Sequence, residues 1–208
     1  MRAGGNIPHS WAGFVLTGGK SSRMGRDKAA LPFGETTLLE HVVAQLHATQ
    51  QNPPLDVTLI GAPERYGHLG LRAVADRYQN CGPLGGVCTA LETTSADFNF
   101  IVACDMPGVT TEFFRSLIAA AEAPGSYLYD ADCVIPETAD GLHPLCAVYH
   151  RRVLPLAQQR ILGQSLKMHD FVASLRVVKF PVAAAFVENV NAPVDWQSRV
   201  GSPPLDPV

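Results

Sequence analysis

The chain has no apolar run long enough to cross a bilayer, which takes about 20 consecutive apolar residues. It has no excess of positive charge either: 16 Lys and Arg stand against 19 Asp and Glu, a formal net charge of -3. Duplex nucleic acid is therefore not expected as a partner, because neutralising a phosphate backbone takes a broad basic surface. Small phosphorylated molecules need only a local cluster and stay in play. Paired cysteines are also lacking. Cys81, Cys88, Cys104, Cys133 and Cys146 are odd in number and show no C-x-x-C spacing. Neither a disulfide framework nor a thiolate zinc site is indicated, and the thiols read as small core side chains. The opening MRAGGNIPHSW lacks the charged-then-apolar order of a signal peptide, so a cytoplasmic location and no membrane partner are expected.

What is present is an ordinary globular composition, 47% hydrophobic and 17% charged, over 208 residues. That length fits one domain, or one domain in two lobes. After a frayed lead-in at 1–10, WAGFVLT at 11–17 reads as a buried strand. A polar loop, GGKSSRMGRDK, follows, and residues 30–33 read as a short extended piece. Thr37 and Glu40 have capping-box spacing, with Leu38, Leu39, Val42, Val43 and Leu46 as the buried helix face. Asn52-Pro53-Pro54 ends that helix. Strands are expected at 56–60, 72–75 and 98–104, a loop at NCGPLGG, and helices at 87–92 and from Thr110 or Thr111 to about 123. Strands alternating with helices predict an α/β fold with a mostly parallel sheet covered on both faces. Beyond Tyr129 the rhythm changes: strands at 132–136 and 145–149, helical material at 151–175, a strand at 176–180, then FVENVN and a short helix near Pro193. The expected division is a nucleotide-binding lobe at about 11–125, a second lobe at about 126–200 and a disordered tail at 201–208.

In open α/β sheets ligands bind beyond the C-terminal ends of the strands. The loop after the first strand, Asp76 and Asp105 all fall there. Gly18 and Gly19 let backbone N–H groups approach an anion closely. Lys20, Arg23, Arg26 and Lys28 put four cations within nine residues, about the local charge that a triphosphate needs. The loop is not a dinucleotide fingerprint, since GGKSSRMG does not supply G-x-G-x-x-G. It is a poor P-loop as well. Gly19-Lys20-Ser21 matches the end of that motif, but its first glycine falls on Phe14, and SRMGRDKAALPFG is a poor helix. A solvated basic turn is the plain alternative.

The longer pattern L-T-G-G-x-S-x-R-M-G-x-D-K at 16–28 resembles the signature of the nucleotidyltransferase superfamily, and within it that of the molybdenum cofactor guanylyltransferases. The resemblance runs along most of the chain. Asp76 with N-C-G-P-L-G-G resembles the family's acidic residue and G-P-L-x-G segment. A-C-D-M-P at 103–107 resembles its metal-binding C-D-x-P, His143-Pro144 its His-Pro, and N-V-N-A-P at 189–193 its N-x-N-x-P. One departure stands at Gly61, where the family often has an asparagine that touches the nucleotide. The resemblance implies a three-layer Rossmann-like nucleotidyltransferase fold, with a mostly parallel mixed sheet flanked by helices. It also implies transfer of GMP from GTP to the phosphate of molybdopterin, with Mg2+ as cofactor. Partners implied are GTP, molybdopterin or its molybdenum form, other cofactor-biosynthesis proteins and molybdoenzyme chaperones.

On this reading Leu16, Thr17, Gly18, Gly19, Lys28, Asp76, Gly82, Gly85, Gly86 and Asp105 bind GTP. Lys28, Arg23 and Asp105 are catalytic. Displacement between phosphates needs charge neutralisation and in-line positioning more than covalent chemistry. Lys28 contacts phosphate as a compact ammonium. Arg23 can bind phosphate bidentately, or pair instead with Asp27 or Glu35. Asp105 is the metal ligand, the alternative being a turn aspartate before Met106-Pro107. Asp76 either bonds the nucleotide or satisfies N–H groups of the loop after it. Asn189 and Asn191, two apart, share one face of an extended segment. They are assigned to the acceptor side with His143, and Asn191 also to the metal. His143 is not a general base, since the attacking phosphate is already ionised. Three other readings stand beside this one: a CTP-using molybdopterin cytidylyltransferase, a non-catalytic nucleotide-binding protein, and a P-loop NTPase.

Overall fold

The computed structural model describes residues 9–18, 28–122 and 131–190. Strand β1 (Trp11–Leu16) is the apolar run expected there. Lys28–Ala30 form a 3-10 turn, so the extended piece begins later than expected, as β2 (Pro32–Phe33) paired antiparallel with β3 (Thr36–Thr37). Helix α1 (Leu38–His47) starts where the capping box places it. Glu40 N donates to Thr37 Oγ1, and the Glu40 carboxylate accepts from Thr37 N at 2.8 Å. Its five predicted core residues are all buried. Each contributes roughly 1.5–3 kcal/mol, so burial holds the helix while the cap, worth about 1 kcal/mol, sets where it begins. The helix ends at His47 with its cap at Ala48, ahead of the Asn-Pro-Pro stop.

β4 (Val57–Gly61), α2 (Pro63–Tyr66) and β5 (Arg72–Ala75) follow. The loop expected at NCGPLGG is corrected: α3 (Gly82–Thr93) already starts at Gly82. Proline fits the first helical turn because its missing N–H would be unpaired there anyway. Gly85 and Gly86 are helical for packing reasons. A Cβ on Gly85 would lie 2.6 Å from the Tyr78 carbonyl oxygen, and one on Gly86 3.2 Å from a Leu16 methyl. The two glycines let α3 press against β1 and the turn before it, which outweighs their poor helix propensity. β6 (Phe98–Ala103) leads to α4 (Thr111–Glu122), whose first turn is capped by Thr110 Oγ1 accepting from Phe113 N at 3.1 Å. Then come β7 (Cys133–Thr138), β8 (Gly141–Leu142), β9 (Cys146–His150), α5 (Leu154–Leu162), α6 (Met168–Val172) and β10 (Val177–Pro181).

Among the described residues one sheet has the order β10-β7-β9-β6-β1-β4-β5, with β8 beside β7. β6-β1-β4-β5 are parallel, β9 is antiparallel to both neighbours, and β10 is parallel to β7. Alternation along β1 divides the core. Val15 packs with α1 and α4, while Ala12, Phe14 and Leu16 pack with α3, α5 and α6. The result is the expected three-layer α/β arrangement with a mostly parallel mixed sheet. None of the five cysteines forms a disulfide, and Cys88, Cys133 and Cys146 are buried. Among the described residues no helix is long and apolar enough to cross a membrane.

Candidate active site

The parallel register aligns the strand ends. Leu16 stands opposite Ala103 on one side and Ile60 on the other, and Gly61 stands opposite Ala75. The residues that follow therefore emerge along one edge, stitched by backbone bonds from Thr17 N to Ile60 O, Cys104 N to Leu16 O and Asp76 N to Gly61 O. Thr17, Gly18, Asp76 and Asp105 share this edge.

Lys28 and Asp105 meet there. Lys28 Nζ donates to Asp105 Oδ2 at 3.0 Å, and both side chains are mostly covered, 20% and 16% exposed. Lys28 opens the 3-10 turn, whose buried Ala29 anchors it to the core beside α1. Asp105 leaves the end of β6 just before buried Met106. The phosphate lysine and the metal carboxylate expected from separate motifs are thus one cluster. Among the described residues no three His, Cys, Asp or Glu side chains converge to hold a metal. The donors on this edge still fit magnesium, which takes one or two carboxylates and completes its shell with phosphate oxygens and water.

Asp76 has a structural attachment. Its Oδ1 accepts from Tyr78 N at 3.0 Å and from Thr89 Oγ1 at 2.9 Å. Thr89, fully buried in α3, also accepts from Arg77 N. Thr89 belongs to none of the sequence motifs, because a threonine inside a helical pattern carries no local signal. Gly82 opens α3 with φ of 62° and has open space around it. Gly85 and Gly86 are buried against Tyr78 and Leu16, so close backbone approach to a nucleoside is not what requires glycine there. Gly61 has a steric role of its own. A Cβ there would lie 2.2 Å from Thr17 Oγ1, which donates to Ile60 O at 3.1 Å.

The second half of the chain reaches the same edge. β9 runs antiparallel to β6, so its start lies beside the end of β6, where Ala103 N donates to Leu145 O at 2.7 Å. His143-Pro144 immediately precede that contact. His143 Nε2 pairs with Thr138 Oγ1 at 2.8 Å, and burial lowers the imidazole pKa from its ordinary value. A neutral, hydroxyl-paired imidazole is no strong base. After β10 the chain returns to the metal candidate: Val190 N donates to Asp105 O at 2.9 Å, and Val190 is fully buried. Asn189 is exposed beside it. Gly108 permits this return, since a Cβ there would lie 1.8 Å from the Ala185 carbonyl oxygen. Gly19, Lys20, Arg23, Arg26 and Asn191, and the helix expected near Pro193, lie outside the described residues.

The chain matches the family model described as the MobA-like NTP transferase domain over residues 13–177. It is 33% identical over 163 residues to a "Probable molybdenum cofactor guanylyltransferase" of Flavobacterium johnsoniae, covering 78% of this chain and 80% of that one. A protein of the same designation from Bacillus cereus is 31% identical over 204 residues, 92% of each chain. Among solved structures, molybdopterin-guanine dinucleotide biosynthesis protein A of Archaeoglobus fulgidus superposes with a TM-score of 0.72 at 22% identity, covering 90% of this chain and 95% of that one. A Mycobacterium tuberculosis protein in complex with manganese superposes at 0.64 with 19% identity, covering 93% and 99%. The chain belongs to the MobA-like NTP transferase domain family, in its molybdenum cofactor guanylyltransferase branch.

Proposed function

We propose that the protein transfers GMP from GTP to the terminal phosphate of molybdopterin, releasing pyrophosphate. The observation that carries this reading is the 3.0 Å contact between Lys28 and Asp105 on the C-terminal edge of the parallel strands. A molybdopterin phosphate oxygen attacks the α-phosphorus of GTP, and the bond from that phosphorus to the bridging oxygen of pyrophosphate breaks. Asp105 and Asn191 would hold magnesium. Bound there, the ion supplies positive charge to the reacting phosphates. Lys28 turns its ammonium to the α-phosphate, where negative charge builds, and Arg23 holds the departing phosphates. Thr17, Gly18, Gly19 and the start of α3 at Gly82 face the nucleotide, and Asp76 accepts a hydrogen bond from it. His143 and Asn189 orient the acceptor and leave proton transfer aside. Molybdenum cofactor proteins and molybdoenzyme chaperones are the proposed partners, and the cytoplasm the proposed location.

The designation of the relatives supports guanine over cytosine. The test is incubation of purified protein with molybdopterin, with and without molybdate, magnesium and each nucleoside triphosphate in turn, with products identified by mass. The guanine dinucleotide is expected from GTP. A cytosine dinucleotide from CTP moves the assignment to the cytidylyl reading, and no dinucleotide from any nucleotide leaves a binding protein.

A further inference from the structure

Thr89 stands where an apolar residue would serve the core better. Its helix neighbours Val87, Cys88, Ala90 and Leu91 are fully buried, as it is, and a valine would fill the same space without a hydroxyl to satisfy. Threonines inside helices commonly bond the carbonyl four residues back. Thr93, one turn later, does this, donating to Thr89 O at 2.7 Å. Thr89 turns its hydroxyl out of the helix instead. It accepts from Arg77 N at 3.1 Å and donates to Asp76 Oδ1 at 2.9 Å. With Tyr78 N also on Oδ1 at 3.0 Å, one oxygen of the carboxylate is fixed by two donors. Among the described residues no hydrogen bond reaches the other oxygen, Oδ2. Asp76 is half-buried, and its own amide is tied to Gly61 on the strand edge that carries Thr17 and Gly18.

We infer that Thr89 is a positioning residue for the nucleoside: through Asp76 Oδ1 it fixes the carboxylate so that Oδ2 accepts a hydrogen bond from the nucleoside part of the bound nucleotide. The inference rests on the proposed role of Asp76 in nucleotide binding. The physical ground is that a carboxylate held at one oxygen loses its rotational freedom before the ligand arrives, so less freedom is lost on binding. A residue that only staples the turn would affect folding and leave that hydrogen bond alone.

The experiment separates the nucleoside from the phosphates. Affinities for GTP and for inorganic tripolyphosphate, both with magnesium, are measured by calorimetry on the full chain and on Thr89→Val, Thr89→Ser and Asp76→Asn. Temperatures are kept below each variant's melting point. Thr89→Val should weaken GTP binding about tenfold, the scale of one lost hydrogen bond to a charged group, and leave tripolyphosphate binding unchanged. Thr89→Ser, which keeps the hydroxyl, should bind GTP within about twofold of the parent. If the valine variant does not fold, Thr89→Ala takes its place. Unchanged GTP affinity in the valine or alanine variant overturns the inference, and so does equal weakening of both ligands, which marks a purely structural role. If Asp76→Asn also leaves GTP affinity unchanged, the nucleotide role of Asp76 falls. If only Asp76→Asn weakens GTP, Thr89 alone is dismissed.

Discussion

Lys28 Nζ rests 3.0 Å from Asp105 Oδ2, so the two groups assigned to phosphate and to metal neutralise each other across 77 positions of sequence. The pair is partly open to water, and such pairs contribute about 1 kcal/mol or less. Its place on the strand edge points to chemistry more than stability. Asp105→Asn keeps the shape and removes the charge that would hold magnesium. Turnover should fall at least about a hundredfold, the scale of losing one electrostatic stabiliser, while the melting temperature moves little. Near parental activity with ordinary magnesium dependence would remove Asp105 from the site.

The strands, the capping box and the apolar face of α1 were legible because they are written in local periodicity. Thr37, Glu40 and the five core residues of α1 sit where that pattern puts them. The start of α3 was not legible. Glycine and proline read as breakers, yet Gly85 and Gly86 are placed by contacts with Tyr78 and Leu16, which no local pattern contains. Lys28 and Asp105 belong to separate motifs, at 16–28 and 103–107. Their contact, the Thr89 bond to Asp76 and the return of Val190 to Asp105 are tertiary facts.

Gly61 and Thr17 should behave as a coupled pair. A methyl at Gly61 falls 2.2 Å from Thr17 Oγ1, so Gly61→Ala must push the threonine off its bond to Ile60 O. A cost of about 1–3 kcal/mol is expected from overpacking, with weaker GTP binding as the end of β1 shifts. Adding Thr17→Ala removes the clashing atom and should recover part of the loss. Denaturant melts of both single variants and the double close the cycle. Strictly additive costs would show that the two positions do not compete for space.

The α1 capping box should show in the pH dependence of stability. The Thr37 hydroxyl and then the Thr37 amide, both bonded to the Glu40 carboxylate, hold its pKa below the ordinary value of 4.5. A depressed carboxylate stabilises the fold above its unfolded pKa, and that contribution is lost as pH falls through the folded value. Thr37→Ala should cost about 1 kcal/mol near pH 7. The cost should shrink only below about pH 4.5, as Glu40 becomes protonated. Urea melts of both proteins at pH 7 and pH 3.5 measure it, and a cost that is the same at both would dissociate Glu40 from the cap.

Lys28 and Lys20 should separate chemistry from binding. Lys28 is placed on Asp105, the proposed metal ligand. The sequence between β1 and Lys28 still carries three other cations, Lys20, Arg23 and Arg26, so GTP should bind without the Lys28 side chain. Those groups cannot replace an ammonium where negative charge grows in the transition state. Lys28→Ala should therefore lower the single-turnover rate more than it weakens GTP affinity. The same variant leaves Asp105 without its cation, so magnesium affinity in the absence of nucleotide should stay level or rise. Lys20→Ala should weaken binding or do little, and leave the rate of bound nucleotide near the parent's. Rate and affinity measured side by side on both variants decide between them. Loss of chemistry in Lys20→Ala with a nearly silent Lys28→Ala would move the phosphate lysine to position 20 and reopen the P-loop reading of Gly19-Lys20-Ser21.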